Sequence, residues 1–304
     1  MKVDKRPKAH HKVPRFYLEG FRTDDSGVGR KARIWVYCRG ECKPRCCNPR
    51  ATGFETDFYT LIGPDGQRDA TMDTILADHV DAPASAIWPK LTDPSHQLTP
   101  EERAQIAVFI AFLFTRTSKL TRVLQGAFAQ LEEMVRTLMD VAEHRADDPS
   151  WQPIPATPGV PSYVINSRED LEDLRPTHND FVMLTSTGIR DVATIILLMN
   201  WTFVHAPPGV RFITSDNPVA RDNAIVENRF RRSDITRYGA EISVPISKHC
   251  CLVCSYHGPE AHVRVGADTV DLINRKTLIW SDVEVYSSRR EEWLDQAFFG
   301  NPSQ

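Results

Sequence analysis

Near the start of this 304-residue chain stands the stretch His10-His11-Lys12-Val13-Pro14. Imidazole titrates near neutral pH, so either ring could serve as a general base, a metal ligand or a phosphate contact. Neighbours on an extended backbone point to opposite faces, so at most one of the pair can aim into a given site; His11 is the preferred candidate. The competing role is structural, with an imidazole bonded to a backbone carbonyl and anchoring the N-terminus. Pro14 holds the residue before it extended and suits a fixed approach to a helix.

A second group, Thr214-Ser215-Asp216-Asn217-Pro218, ends an apolar stretch. Asp216 could orient a histidine, accept a proton or ligate a divalent cation, and Asn217 could steady developing negative charge. The same residue types before proline also build Asx-type turns that satisfy only the local backbone. Arg116 follows the apolar run Ile106 to Phe114. It could grip a carboxylate or phosphate bidentately, although an arginine there more often caps a helix C-terminus through the dipole. Together His10, His11, Arg116, Asp216 and Asn217 form a candidate catalytic set for a hydrolase acting on phosphodiester bonds. In it His11 is base or ligand, Asp216 orients or ligates, and Asn217 and Arg116 steady charge. The alternative is a non-catalytic ligand- or partner-binding module, regulatory or defensive, in which these residues are architectural.

Cys38, Cys42, Cys46 and Cys47 are spaced close to zinc-ligand pairs. No second Cys-x-x-Cys or His-x3-His half follows them, and Cys251-x-x-Cys254 supplies one only if the two ends of the chain meet. Free thiols in a loop and a strand are the expectation, and a cysteine-based metal or redox sensor is a third reading. Glycine-rich phosphate loops, a Gly-x-Ser-x-Gly elbow and a His-Glu-x-x-His helix are absent from the sequence, so no nucleotide cofactor is indicated. Cofactor, metal and partner identities stay unknown.

The net charge of −3 provides no global field towards nucleic acid or membrane. Local basic clusters at Lys43, Arg45 and Arg50 and at Arg229-Phe230-Arg231-Arg232 leave nucleic acid possible, but they lack interleaved stacking aromatics. The hydrophobic share of 41% and charged share of 25% are those of a globular protein. The first residues are charged and no apolar run approaches the ~20 residues of a membrane span. The expectation is a soluble, cytoplasmic protein with reduced cysteines.

The elements that must position these groups change period along the chain. Ile34-Trp35-Val36-Tyr37 and Phe58-Tyr59-Thr60-Leu61 have strand character, and residues 39–53 between them form a loop. Asp73 to Trp88 has helical spacing that Pro83 should kink or end. Thr99-Pro100-Glu101-Glu102 is a capping box for helix running to about Ala146, with a break near Thr117-Ser118. Five prolines from Asp147 to Pro161 mark a linker at 147–161. Beyond a short helix around Arg168–Leu174, Thr177 caps another whose buried stripe is Phe181, Leu184, Val192, Ile195, Ile196 and Met199. Strands follow at Trp201–Val204, Arg211–Thr214, Glu241–Val244 and Cys251–Cys254. A helix from Asp268 to Trp280 leads to a strand at Val283–Tyr286 and a helix at Glu291–Phe299. These predict a single α+β domain over 1–304: a central helical bundle packed on a mixed, mainly antiparallel sheet formed from N- and C-terminal segments.

Several segments resemble, in order, domain-of-unknown-function family 4238. They are His10-His11-x-x-Pro14-x-x-Tyr17-Leu18-x-x-Phe21, Ile34-Trp35-Val36-Tyr37, Phe58-Tyr59-Thr60, Phe109-Ile110-Ala111 with Arg116, Phe212-Ile213-Thr214-Ser215-Asp216-Asn217-Pro218-Val219, Val244-Pro245-Ile246-Ser247, Asn274 and Val285-Tyr286-Ser287. The resemblance spans nearly the whole chain and implies one domain formed from both ends. It implies no agreed activity, and the cysteine cluster lies outside its pattern.

Overall fold

A computed structural model describes residues 9–145, 168–223 and 235–300, apart from single positions 57, 64, 70, 174 and 237. The linker expected at 147–161 and the cluster Arg229–Arg232 lie outside the described residues. The first third alternates short pieces: β1 (Ala9–His11), α1 (Arg15–Glu19), β2 (Ile34–Cys38), β3 (Arg45–Cys47), β4 (Phe54–Thr56), β5 (Leu61–Ile62) and β6 (Arg68–Asp69). The middle is helical: α2 (Thr71–Leu76), α3 (Ala82–Ile87), α4 (Pro100–Thr115), α5 (Ser118–Arg145), α6 (Arg168–Asp173) and α7 (His178–Leu198). Then come β7 (Asn200–His205), β8 (Thr214–Ser215), β9 (Ala220–Asn223), β10 (Ala240–Ser247), β11 (Cys250–Ser255), β12 (Ala261–Arg264), α8 (Ala267–Trp280), β13 (Glu284–Ser287) and α9 (Glu292–Phe299).

The α+β class holds, with the strands in two principal sheets instead of one. A four-stranded sheet in the order β3-β2-β13-β8 joins the two ends of the chain, with Val36 opposite Tyr286. A five-stranded sheet, β12-β7-β11-β10-β9, is drawn entirely from the last third. It is antiparallel except where β12 runs parallel to β7. The main core runs from Val13 to Tyr286 and takes Ile106, Phe109, Ile110 and Leu113 from α4, which is apolar on nearly every face. Tyr17 fastens α1 to both sheets: its hydroxyl donates to the carbonyl of Pro245 and shares a hydrogen bond with Thr214, each at 2.7 Å.

Both expected helix starts are present. Thr99 and Glu102 form the capping box of α4, and Thr177 and Asp180 form another on α7. The break expected near residue 117 falls between Thr115 and Ser118. Pro83 has no N–H to return along the helix, and the chain widens into a π-helical turn, Ala77–Asp81, just before it.

Four expectations need correction. The run Phe58–Leu61 is a turn, because the Tyr59 N–H is taken by the His10 ring; only Leu61 and Ile62 enter a strand. Of Arg211–Thr214 only Thr214 pairs with β13, because the Phe212 N–H donates to the Lys248 carbonyl and the Ile213 N–H to the Asn274 side chain. On α7 the expected stripe holds at Phe181, Ile196 and Met199, which are buried, and at Val192 and Ile195, which pack partly buried on the core; Leu184 departs from it at 45% exposed, and Val182 and Ala193 are buried in addition. This 21-residue helix is also long and apolar enough to cross a membrane by length and composition, which the expectation of no such run had missed. The charges of Arg190 and Asp191 interrupt its apolar runs without lowering its mean hydropathy of 1.6 below that of a span.

Candidate functional site

Strand β1 pairs antiparallel with β4, His10 opposite Glu55 and His11 opposite Phe54. Gly53 makes this ribbon possible. Its φ of +68° is a left-handed conformation that a side chain resists, and its carbonyl accepts the N–H groups of Lys12 and Val13. The alternation expected of an extended pair is present. His10 turns inward at 2% exposure, while His11 is half-buried on the other face.

His10 stacks on the Tyr59 ring, accepts the Tyr59 N–H through Nδ1 at 3.0 Å, and lies 4.0 Å from Asp73. Its neighbour packs edge-on against Phe54. At the C-terminal end of α4, Arg116 is itself the C-cap residue and is 5% exposed. The guanidinium carbon sits 4.5 Å from the Phe112 ring centroid and 5.0 Å from that of Tyr59. One nitrogen reaches Asp81 of the π-helical turn at 3.5 Å. Arg116 therefore does not spend its donors on helix carbonyls in the way a dipole-capping arginine would.

The cluster leaves polar atoms without partners. Nδ1 of His11, Oη of Tyr59, Nε of Arg116 and Oδ1 of Asp81 are buried and have no hydrogen-bond partner among the described residues, and Nη1 of Arg116 has the 3.5 Å ion pair with Asp81. A buried polar group left this way costs about 1–3 kcal/mol, so several together mark a place where folding is not the whole requirement. Titration is displaced in opposite senses. Burial, then the charges of Arg116 and Arg15, hold His11 below the usual histidine range, whereas burial pushes the Asp81 carboxyl up even beside Arg116. An acid raised and a base lowered around one cation is the arrangement from which acid–base pairs are made.

His11 gives a pH signature of its own. Its folded pKa lies below the ordinary 6.5, so the unfolded chain binds its proton more readily. Stability is therefore complete above about pH 6.5 and is lost as pH falls towards the folded value. Urea midpoints between about pH 7.5 and 5 should fall for the native chain and fall less steeply for His11→Asn. Equal slopes would show that charging His11 costs the fold nothing.

Asp216 and Asn217 are occupied elsewhere. The Asp216 carboxylate, 4% exposed, accepts three backbone N–H groups: Asp282 at 2.9 Å, Val283 at 2.8 Å and Glu284 at 3.1 Å. Burial raises its pKa against these bonds and against the charge of Lys12. The Asn217 side chain donates to the Trp280 carbonyl at 2.9 Å, and its N–H donates to Ser215 Oγ. This group clamps the end of α8 and the start of β13. The structure thus gathers His10 and Arg116 on the Tyr59 ring, with Asp73 and Asp81 beside them and His11 on the other face of the ribbon within the field of Arg116 and Asp73; Tyr59, Asp73 and Asp81 are members that spacing alone had not indicated. Only Tyr59 stood in a segment quoted for the family resemblance.

The cysteines fall into two environments. Cys38, Cys42, Cys46 and Cys47 lie on and around β2 and β3, while Cys250, Cys251 and Cys254 are buried on β11 of the other sheet. Among the described residues no three His, Cys, Asp or Glu side chains are grouped to hold a metal. Burial pushes the Cys250 thiol up to about 12 and raises Cys251 and Cys254 as well. Native alkylation should label the exposed Cys42 and Cys46 first and spare these three until denaturant is added, which peptide mass spectrometry reads directly. Early labelling at Cys251 would contradict the packing of β11.

These elements define an α+β protein whose first strand and π-helical turn gather around a buried arginine. The chain belongs to the family of proteins of unknown function DUF4238, whose model matches residues 9–291. No curated protein and no solved structure matches it.

Proposed function

We propose that this protein hydrolyses a phosphodiester at the His11–Arg116–Asp81 cluster. The observation that carries the reading is the set of unpartnered buried atoms on His11, Tyr59, Arg116 and Asp81. Arg116 would hold the phosphoryl oxygens with Nε, which has no partner, and with Nη1, whose contact to Asp81 is long at 3.5 Å. His11, neutral near pH 7, would take a proton from the attacking water through a ring nitrogen. The water oxygen bonds to phosphorus, the ester P–O bond breaks, and the leaving oxygen takes the proton of the Asp81 carboxyl. The products are a phosphomonoester and an alcohol; solvent returns the proton from His11 to Asp81. Asp216 supports this chemistry only by holding the adjoining backbone.

A purely architectural role requires saturated side chains. Asp216 and Asn217 satisfy that condition; His11 and Arg116 do not. The test is turnover of phosphodiester substrates, nucleic-acid and small-molecule, with and without divalent cations. Metal-independent hydrolysis that vanishes in His11→Gln is the expected result. A folded protein inactive on every diester would overturn the reading.

A further inference from the structure

Away from the His11 cluster, a second arginine stands without a counter-ion among the described residues. Arg221 is on the edge strand β9, its guanidinium carbon 4.2 Å from the Phe114 ring centroid and 4.5 Å from that of Trp280. Phe114 follows Phe112 by two residues on α4, so the rings under Arg221 and Arg116 leave that helix in nearly opposite directions. The two rings attract the Arg221 cation but offer its N–H groups no lone pair, and Nε is buried without a hydrogen-bond partner. No described carboxylate opposes it, and burial alone holds its pKa down to about 10. Buried charges are ordinarily paired, so this one leaves a place for an anion.

Lys119, at the start of α5, shares the Trp280 ring, its Nζ 5.2 Å from the centroid. It reaches the Ile279 and Trp280 carbonyls only at 3.5 Å, and the Trp280 carbonyl already accepts the shorter bond from Asn217 at 2.9 Å. Around Lys119, the cations Arg39, Arg122 and Arg221 face the carboxylates Asp216 and Asp282, so four positive groups meet two negative ones. Both acids are engaged, Asp282 with Arg122 and Asp216 with its three backbone N–H groups. We infer that Arg221 and Lys119 form an anion site for a phosphomonoester dianion, held at the outer edge of the guanidinium beside Trp280. Arg221 as a whole is half-buried, so that edge is open to solvent. A phosphomonoester carries close to two charges and matches the excess, where a carboxylate brings one, and its oxygens suit the planar fork. None of His11, Asp81 or Arg116 enters this site, so it stands whether or not the hydrolase reading does.

Methyl phosphate is the probe, titrated calorimetrically into the full chain at about pH 7.5, where its second proton is largely lost. Acetate and chloride at matched ionic strength control for screening. Saturable binding at least tenfold tighter than that of acetate is expected. Arg221→Met should weaken it tenfold or more, because the charge and the hydrogen bonds of the fork are lost together. Lys119→Met should weaken it severalfold, and it keeps the test informative if Arg221→Met fails to fold. Methyl phosphate should also raise the melting temperature of the native chain and not that of Arg221→Met. No binding to the folded native chain, or unchanged binding in both variants, would overturn the site. An equal response to acetate would overturn the assignment to a dianion. Binding lost in Arg116→Lys but kept in Arg221→Met would place the phosphate at the hydrolytic centre and overturn the Arg221 site.

Discussion

Asp216→Ala should lower the stability of the fold by roughly 3 kcal/mol while leaving the His11 cluster chemically intact. The carboxylate satisfies three consecutive N–H groups, of Asp282, Val283 and Glu284, where the chain leaves α8 and enters β13. Alanine offers none of them an acceptor, and each buried donor so abandoned costs about 1–3 kcal/mol. Part of that sum is offset, because burial already disfavours the charged carboxyl and its pKa is raised. For a chain of this size the loss corresponds to a fall of about 5 °C in melting temperature. β13 is the strand through which β2 meets β8, so the damage reaches the joint between the two ends of the chain. Asn217→Ala removes one bond, to Trp280, and should cost about 1 kcal/mol. Calorimetry on both variants checks the order. If Asp216→Ala melted normally yet lost all hydrolysis, Asp216 would belong to the reacting centre.

What the sequence could tell depended on the range of the interaction. Thr99-Pro100-Glu101-Glu102, the break after Thr115 and the extended approach at Pro14 are set by neighbours within four residues, and each was legible. Pro83 announced a disturbance, but not that the helix would absorb it as a π turn presenting Asp81 to Arg116. That contact spans 35 positions, and no spacing rule reaches so far. The strand character of Phe58–Leu61 and Arg211–Thr214 was defeated for the same reason. A side chain from a distant element, His10 in one case and Asn274 in the other, takes an N–H that a ladder needed. Asp216 was the hardest residue to weigh, since the types that begin an Asx turn also bind substrates. Only the identity of its three donors separates the roles.

Arg116→Lys should reduce kcat for phosphodiester hydrolysis by about 10²–10³ while retaining the positive charge. A lysine keeps a positive charge beside Asp81 but loses the planar fork that rests on Phe112 and Tyr59 and carries the unpartnered Nε. His11→Gln should cost a comparable 10²–10⁴ through loss of the base. The pH profile distinguishes chemistry from mere packing. Native activity should fall as pH drops through the folded pKa of His11, which lies below 6.5, so its acid limb is displaced to lower pH. In Arg116→Met, the cation that helps depress His11 is gone. The limb should then move up, although burial, the larger influence, still holds it below the ordinary value. Arg116→Lys should leave it nearly in place. Groups acting in one step are not additive, so the double variant His11→Gln/Arg116→Lys should lose little beyond the worse single one. Fully multiplicative losses with an unmoved limb would mean that His11 and Arg116 never act on the same bound phosphate.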